Sequence, residues 1–159
     1  MLYIKFHIKD QQKFEDFKKI YEVLEEIKPR EESKPLSFWK TMFPEYAINV
    51  LGNYCNETPL SSESFEGFIN YLEFGFEADF KELSKPLVET AIITYKPLAF
   101  PYGGMERLLV FLKMFDCIPT ECYNGFTVYT FKWLSDFDHD AIELPEKTKA
   151  YLKSLQTSH

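Results

Sequence analysis

Leu2, Ile4, Phe6 and Ile8 alternate with Tyr3, Lys5, His7 and Lys9. A period of two, with one apolar and one polar side, predicts a half-buried strand at the start of the chain. Asp10 follows at the position of a helix N-cap, and Phe14, Phe17, Ile20, Tyr21, Leu24 and Ile27 then fall along one side of a helix. Pro29 and the polar run from Arg30 to Pro35 end that helix.

Beyond this opening the pattern thickens with rings. Phe38, Trp39, Met42, Phe43 and Tyr46 predict a short amphipathic turn or helix. Pro44 opens a second helix carrying Ala47, Val50 and Leu51, with Gly52 and Asn53 as its stop. Asn56 to Pro59 reads as loop, and a short helix or turn is predicted over 62–67. Leu72, Phe74, Phe76 and Ala78 then alternate, which predicts a strand over 68–79 followed by a loop from Lys81 to Pro86.

The β-branched run within Glu89 to Lys96 predicts the next strand. Pro97 and Pro101 fence it off, and Met105, Leu108, Leu109, Leu112 and Phe115 mark a helix closed by Pro119. Phe126 to Trp133 predicts a further strand, with Asn124 and Gly125 as a tight turn before it or as its start. A polar stretch from Ser135 to Asp140 leads to a C-terminal helix over 145–155.

The predicted order is strand, helix, inserted segment, strand, strand, helix, strand, helix. It describes a single α+β domain over 1–159 with a roughly four-stranded, mainly antiparallel sheet. Without the insertion at 36–60 and the extra C-terminal helix, this is the βαββαβ order of ferredoxin-like folds. Two helices cover one face of such a sheet, so the ring-rich 36–60 segment is expected to lie across the other.

Composition sharpens this picture. The chain holds 16 Phe, 10 Tyr and 2 Trp, which is 18% aromatic, alongside 27% charged residues. Rings in that number either fill a core or leave an adhesive surface, because each buries on the order of 150–250 Å². The net charge is −7, and residues 60–100 hold seven acids against three bases. With no basic run to displace counterions, nucleic acid is excluded as a partner, and a basic protein becomes the electrostatically favoured one.

No stretch is apolar enough to cross a membrane, and the N-terminus does not read as a signal peptide. The odd set Cys55, Cys117 and Cys122 reads as reduced, structural thiols in a cytoplasmic protein.

Few motifs survive chemical scrutiny. Asp136, Asp138 and Asp140 begin like a calcium loop, but Ala141 and Lys147 stand where glycine and glutamate are required. No second Cys or His pair completes a zinc site, and no nucleophile elbow is present. Neither metal nor cofactor is expected, and the reading leans away from an enzyme.

Two groups remain. Tyr102, Gly103, Gly104 and Arg107 form a strand-to-helix turn with open backbone donors, a candidate site for a small anion. Glu73, Glu77 and Asp79, on the outer face of the predicted 68–79 strand where successive residues of one face lie about 7 Å apart, form a candidate acidic docking face. Tyr129, Phe131 and Trp133 line one face of the last predicted strand and are candidate aromatic anchors. The expected function is a non-enzymatic interaction module for a protein partner, immunity- or inhibitor-like, or a homodimer. The alternative is a small-anion binder or unclassified enzyme at the 97–107 turn.

Overall fold

A computed structural model describes residues 1–98 and 105–157. The chain opens with β1 (Leu2–Ile8) and α1 (Gln11–Ile27), joined at Asp10, whose carboxylate accepts from the Lys13 amide at 3.1 Å and caps the helix. A 3-10 turn at Lys28–Arg30 follows, and Glu31, at φ 54°, reverses the chain. Two helices come next, α2 (Leu36–Met42) and α3 (Glu45–Cys55). The second runs past Gly52 and Asn53 and stops only at Asn56, which takes the left-handed conformation at φ 61°.

Helix α4 (Ser62–Asn70) is capped by Ser61 and passes into a π-helical turn at Tyr71–Gly75. The hairpin β2 (Ala78–Leu87) and β3 (Thr90–Pro97) follows. Then come α5 (Met105–Lys113), β4 (Cys117–Tyr123), β5 (Val128–Trp133), β6 (His139–Glu143) and α6 (Pro145–Thr157).

The architecture is α+β, with a six-stranded open antiparallel sheet in the order β2-β3-β1-β4-β5-β6. The four-stranded ferredoxin-like description is thereby corrected, since β4 and β6 add two strands to those expected. Two sequence patterns account for the difference. Pro119 reads as a helix-closing residue, but it lies within β4 next to a register shift, where a missing amide is tolerated. The polar letters of β6 suit an exposed edge strand, which needs no apolar face.

The expected strand over 68–79 is also corrected. Its alternating letters belong to the end of α4 and the π turn, and β2 starts only at Ala78 and runs through the expected loop at 81–86.

One side of the sheet holds the core. Phe17 of α1 packs on Phe6 of β1 (6.0 Å between centroids), Phe111 of α5 (4.9 Å) and Phe115 (5.8 Å). Phe43 meets Phe111 and Phe115 at 6.3 and 6.0 Å, and the Tyr46 hydroxyl donates to Asp16 of α1 at 2.7 Å. The 36–60 segment therefore packs on the helical side and not across the opposite face. A ring-rich helix gains more by joining an existing aromatic core than by lying on Lys5, Glu121 and their polar neighbours.

The opposite face is covered at one end by α6. Tyr151 wedges against Tyr3 and Tyr123 at 5.1 and 4.8 Å, and Thr148 Oγ1 accepts from the Val128 amide at 2.9 Å. Lys147 pairs with Glu121 at 2.7 Å, and the same carboxylate accepts from the Tyr3 hydroxyl at 2.8 Å. Burial opposes ionisation of Glu121, but these two donors outweigh it and hold its carboxyl below the ordinary value. Among the described residues no helix is long and apolar enough to cross a membrane.

Candidate functional site

The region between the end of α1 and the start of β2 draws the acidic residues together. An α-helix ends with carbonyls that lack partners. Here the chain handles them with a wider turn: the Phe76 amide donates back to Tyr71 O at 2.7 Å, closing an i to i+5 ring. Turns of this kind occur often at functional sites. The side chain that completes the arrangement is Lys28, whose Nζ donates to Leu72 O at 2.9 Å and to Phe76 O at 2.7 Å.

Lys28 is only 8% exposed. Its ammonium lies 5.6 and 5.8 Å from the ring centres of Phe76 and Phe80, and among the described residues no carboxylate comes within 4.0 Å of it. Burial lowers its pKa to about 8, against weaker opposing pulls from Asp79 and Glu73.

Glu73 does not stand on an outer strand face. It lies inside the π turn at 8% exposure, where Oε2 accepts from the Lys34 amide at 2.8 Å and from Trp39 Nε1 at 3.1 Å. Glu77 is exposed between the turn and β2, and Asp79 is half-buried on β2 with Oδ1 shielded and without a hydrogen-bond partner. These three carboxylates, Glu31 and Lys28 border a cleft of about 520 Å³. Four carboxylates against one ammonium make its field negative at neutral pH. Phe74, 45% exposed, and Leu98, 60% exposed, add apolar surface to the same cleft.

The remaining candidate residues lie elsewhere. Tyr102, Gly103 and Gly104 fall outside the described residues. Arg107, exposed on the first turn of α5, holds its guanidinium 5.6 Å from the centre of the Tyr71 ring and borders a separate hollow of about 240 Å³ with Tyr54 and Cys55.

Tyr129, Phe131 and Trp133 face the helical side of β5. Phe131 and Trp133 stack at 5.6 Å, His139 of β6 packs on both, and Lys113 Nζ lies 3.6 Å from the Trp133 ring centre. Trp133 Nε1 donates to Pro119 O at 2.9 Å. With Tyr129 buried and the other two half-buried, this trio is largely spent on internal packing.

Sequence reasoning missed Lys28, Glu31, Phe74 and Leu98. A signal existed for the first: Lys28 continues the Tyr21–Leu24 spacing and so places a lysine on the buried stripe of α1. Nothing local marks the others, because the cleft forms only when the π turn folds back on the end of α1. Among the described residues no three His, Cys, Asp or Glu side chains are arranged to hold a metal ion. The chain matches no protein-family model, and no curated protein or solved structure resembles it significantly.

Proposed function

We propose that the chain is a non-catalytic interaction module whose acidic cleft docks a basic segment of a protein partner, as small immunity or inhibitor proteins do by shape and charge. The observation that supports this best is the joining of Glu31, Glu77 and Asp79 with the exposed Phe74 and Leu98 on one concave surface. Carboxylates at the rim steer a basic partner and set its orientation, while an aromatic anchor supplies affinity. A lysine or arginine flanked by apolar residues has the complementary chemistry: its head meets the carboxylates and its stem lies along Phe74.

The small-anion reading at the 97–107 turn draws on Arg107 alone among the described residues, and that guanidinium already lies over Tyr71.

The test uses two fluorescent peptide pools, one built on Lys/Arg with Leu and Phe, the other with Asp/Glu in place of the bases. The basic pool should bind at low ionic strength, weaken steeply with salt, and lose about tenfold in affinity to the variant Glu31→Gln/Glu77→Gln/Asp79→Asn. Equal binding of both pools, or binding indifferent to the triple substitution, overturns the reading.

A further inference from the structure

The cleft also holds a chemically distinctive group that the docking role does not require. Lys28 Nζ makes two hydrogen bonds, both to main-chain carbonyls. A neutral amine has two N–H bonds and one lone pair, whereas an ammonium has three N–H bonds. Both bonds to the main chain are therefore ones that the neutral form makes with all of its donors used. Burial acts in the same direction, and the charges facing Lys28, namely Asp79 from β2, Glu73 from the π turn and the more exposed Glu31 and Glu77, only partly offset it.

We propose that Lys28 is a nucleophilic amine, and that the cleft beside it takes an uncharged, apolar aldehyde or ketone which condenses with that amine to an imine. The balance is simple. The nitrogen lone pair forms a C–N bond to the carbonyl carbon, giving a carbinolamine. Loss of the N–H proton and of the hydroxyl group as water leaves the C=N bond, with no oxidant or reductant involved.

Asp79, whose Oδ1 is shielded and unpartnered on the wall of the same cleft, is the group placed to carry the proton from nitrogen to the departing hydroxyl. Phe74, Phe76 and Leu98 favour an apolar body, and the four carboxylates disfavour an anionic one. At about 520 Å³ the cleft falls within the size range of small-molecule sites.

This inference stands apart from peptide docking and is tested without it. The folded chain is treated with benzaldehyde and sodium cyanoborohydride at pH 7.5, and reductive benzylation is followed at each lysine by peptide mass mapping. With its pKa at about 8, Lys28 exposes a far larger neutral fraction than an ordinary lysine near 10.4. Its labelling should therefore exceed that of the exposed Lys40 and Lys153 by about tenfold or more, after allowance for its lower intrinsic nucleophilicity.

That advantage should vanish in urea. Asp79→Asn should slow Lys28 several-fold while leaving Lys40 unchanged, and anionic 4-carboxybenzaldehyde should label Lys28 several-fold more slowly than benzaldehyde. Labelling of Lys28 at or below the rate of the exposed lysines overturns the proposal and leaves Lys28 a structural tie. Equal rates with the two aldehydes overturn the ligand class.

Discussion

The indole N–H of Trp39 donates to Oε2 of Glu73 at 3.1 Å, across 34 residues of sequence. Both side chains are buried, and the same oxygen takes the Lys34 amide at 2.8 Å. One carboxylate thus fastens the start of the inserted helices to the π turn that bears Phe74.

Removing that carboxylate leaves donors without partners. Glu73→Ala should cost about 2–3 kcal/mol, because a stranded buried donor loses its full solvation, whereas Glu73→Gln retains an acceptor oxygen and should cost about 1 kcal/mol. Urea unfolding checks both: the midpoint should fall at an unchanged slope. A cost below about 0.5 kcal/mol for the alanine variant would contradict the buried role of the bond.

Lys28 makes stability depend on pH in a defined direction. Its folded pKa of about 8 lies below the ordinary lysine value, so between about pH 8 and 10 the unfolded chain binds more protons than the folded one. Stability drawn from this group therefore rises with pH across that window. Relative to Lys28→Met, which does not titrate, the wild type should gain about 1–3 kcal/mol between pH 7 and pH 10. Above pH 10 the opposite trend sets in, because burial raises the phenols of Tyr21, Tyr95 and Tyr129 and unfolding then releases their protons. Urea titrations at each pH test this, and a flat difference would contradict it.

The three thiols should separate by reactivity. Burial pushes Cys117 and Cys122 up to about 12, while Cys55 is half-buried and raised to a lesser extent, again by burial first. Thiolate is the reacting form, so native protein should show one slowly titrating thiol with Ellman's reagent at pH 8, at Cys55. All three should react on denaturation.

Tyr151 is the wedge of α6. Tyr151→Ala removes ring contacts with Tyr3 and Tyr123 and the hydrogen bond to Met1 O at 2.8 Å. The expected cost is about 1–3 kcal/mol, from two aromatic pairs and one partly exposed bond. Hydrogen exchange should show the loss concentrated in α6 and in the Tyr3–Tyr123 end of the sheet.

The legible parts of the fold were those with a local cause. The alternation in Leu2–Ile8, the stripe from Phe14 to Ile27 and the cap at Asp10 all lie within a few residues of what they determine, and each is observed. Phe74 and Phe76 show the opposite case. Their alternation around Gly75 imitates a strand, while Lys28, far off in sequence, binds the carbonyls that hold those residues in a π turn. The acidic trio was visible as composition, but its shape was not. Glu73 turns inward to reach Trp39, and Glu31 enters the cleft through a left-handed residue after α1. Long-range hydrogen bonds leave no periodic trace in a sequence.

The first strand occupies an inner position in the sheet, flanked by β3 and β4. During synthesis, Leu2–Ile8 therefore emerges with two unpaired edges and an apolar face, and its second neighbour is complete only at Tyr123. The residues up to Tyr123 must be made before both edges of Leu2–Ile8 can be paired. That places the burden of early folding on the helices between them, α1 to α4, which can gather around Phe17 and Phe43 while β1 still lacks its neighbours.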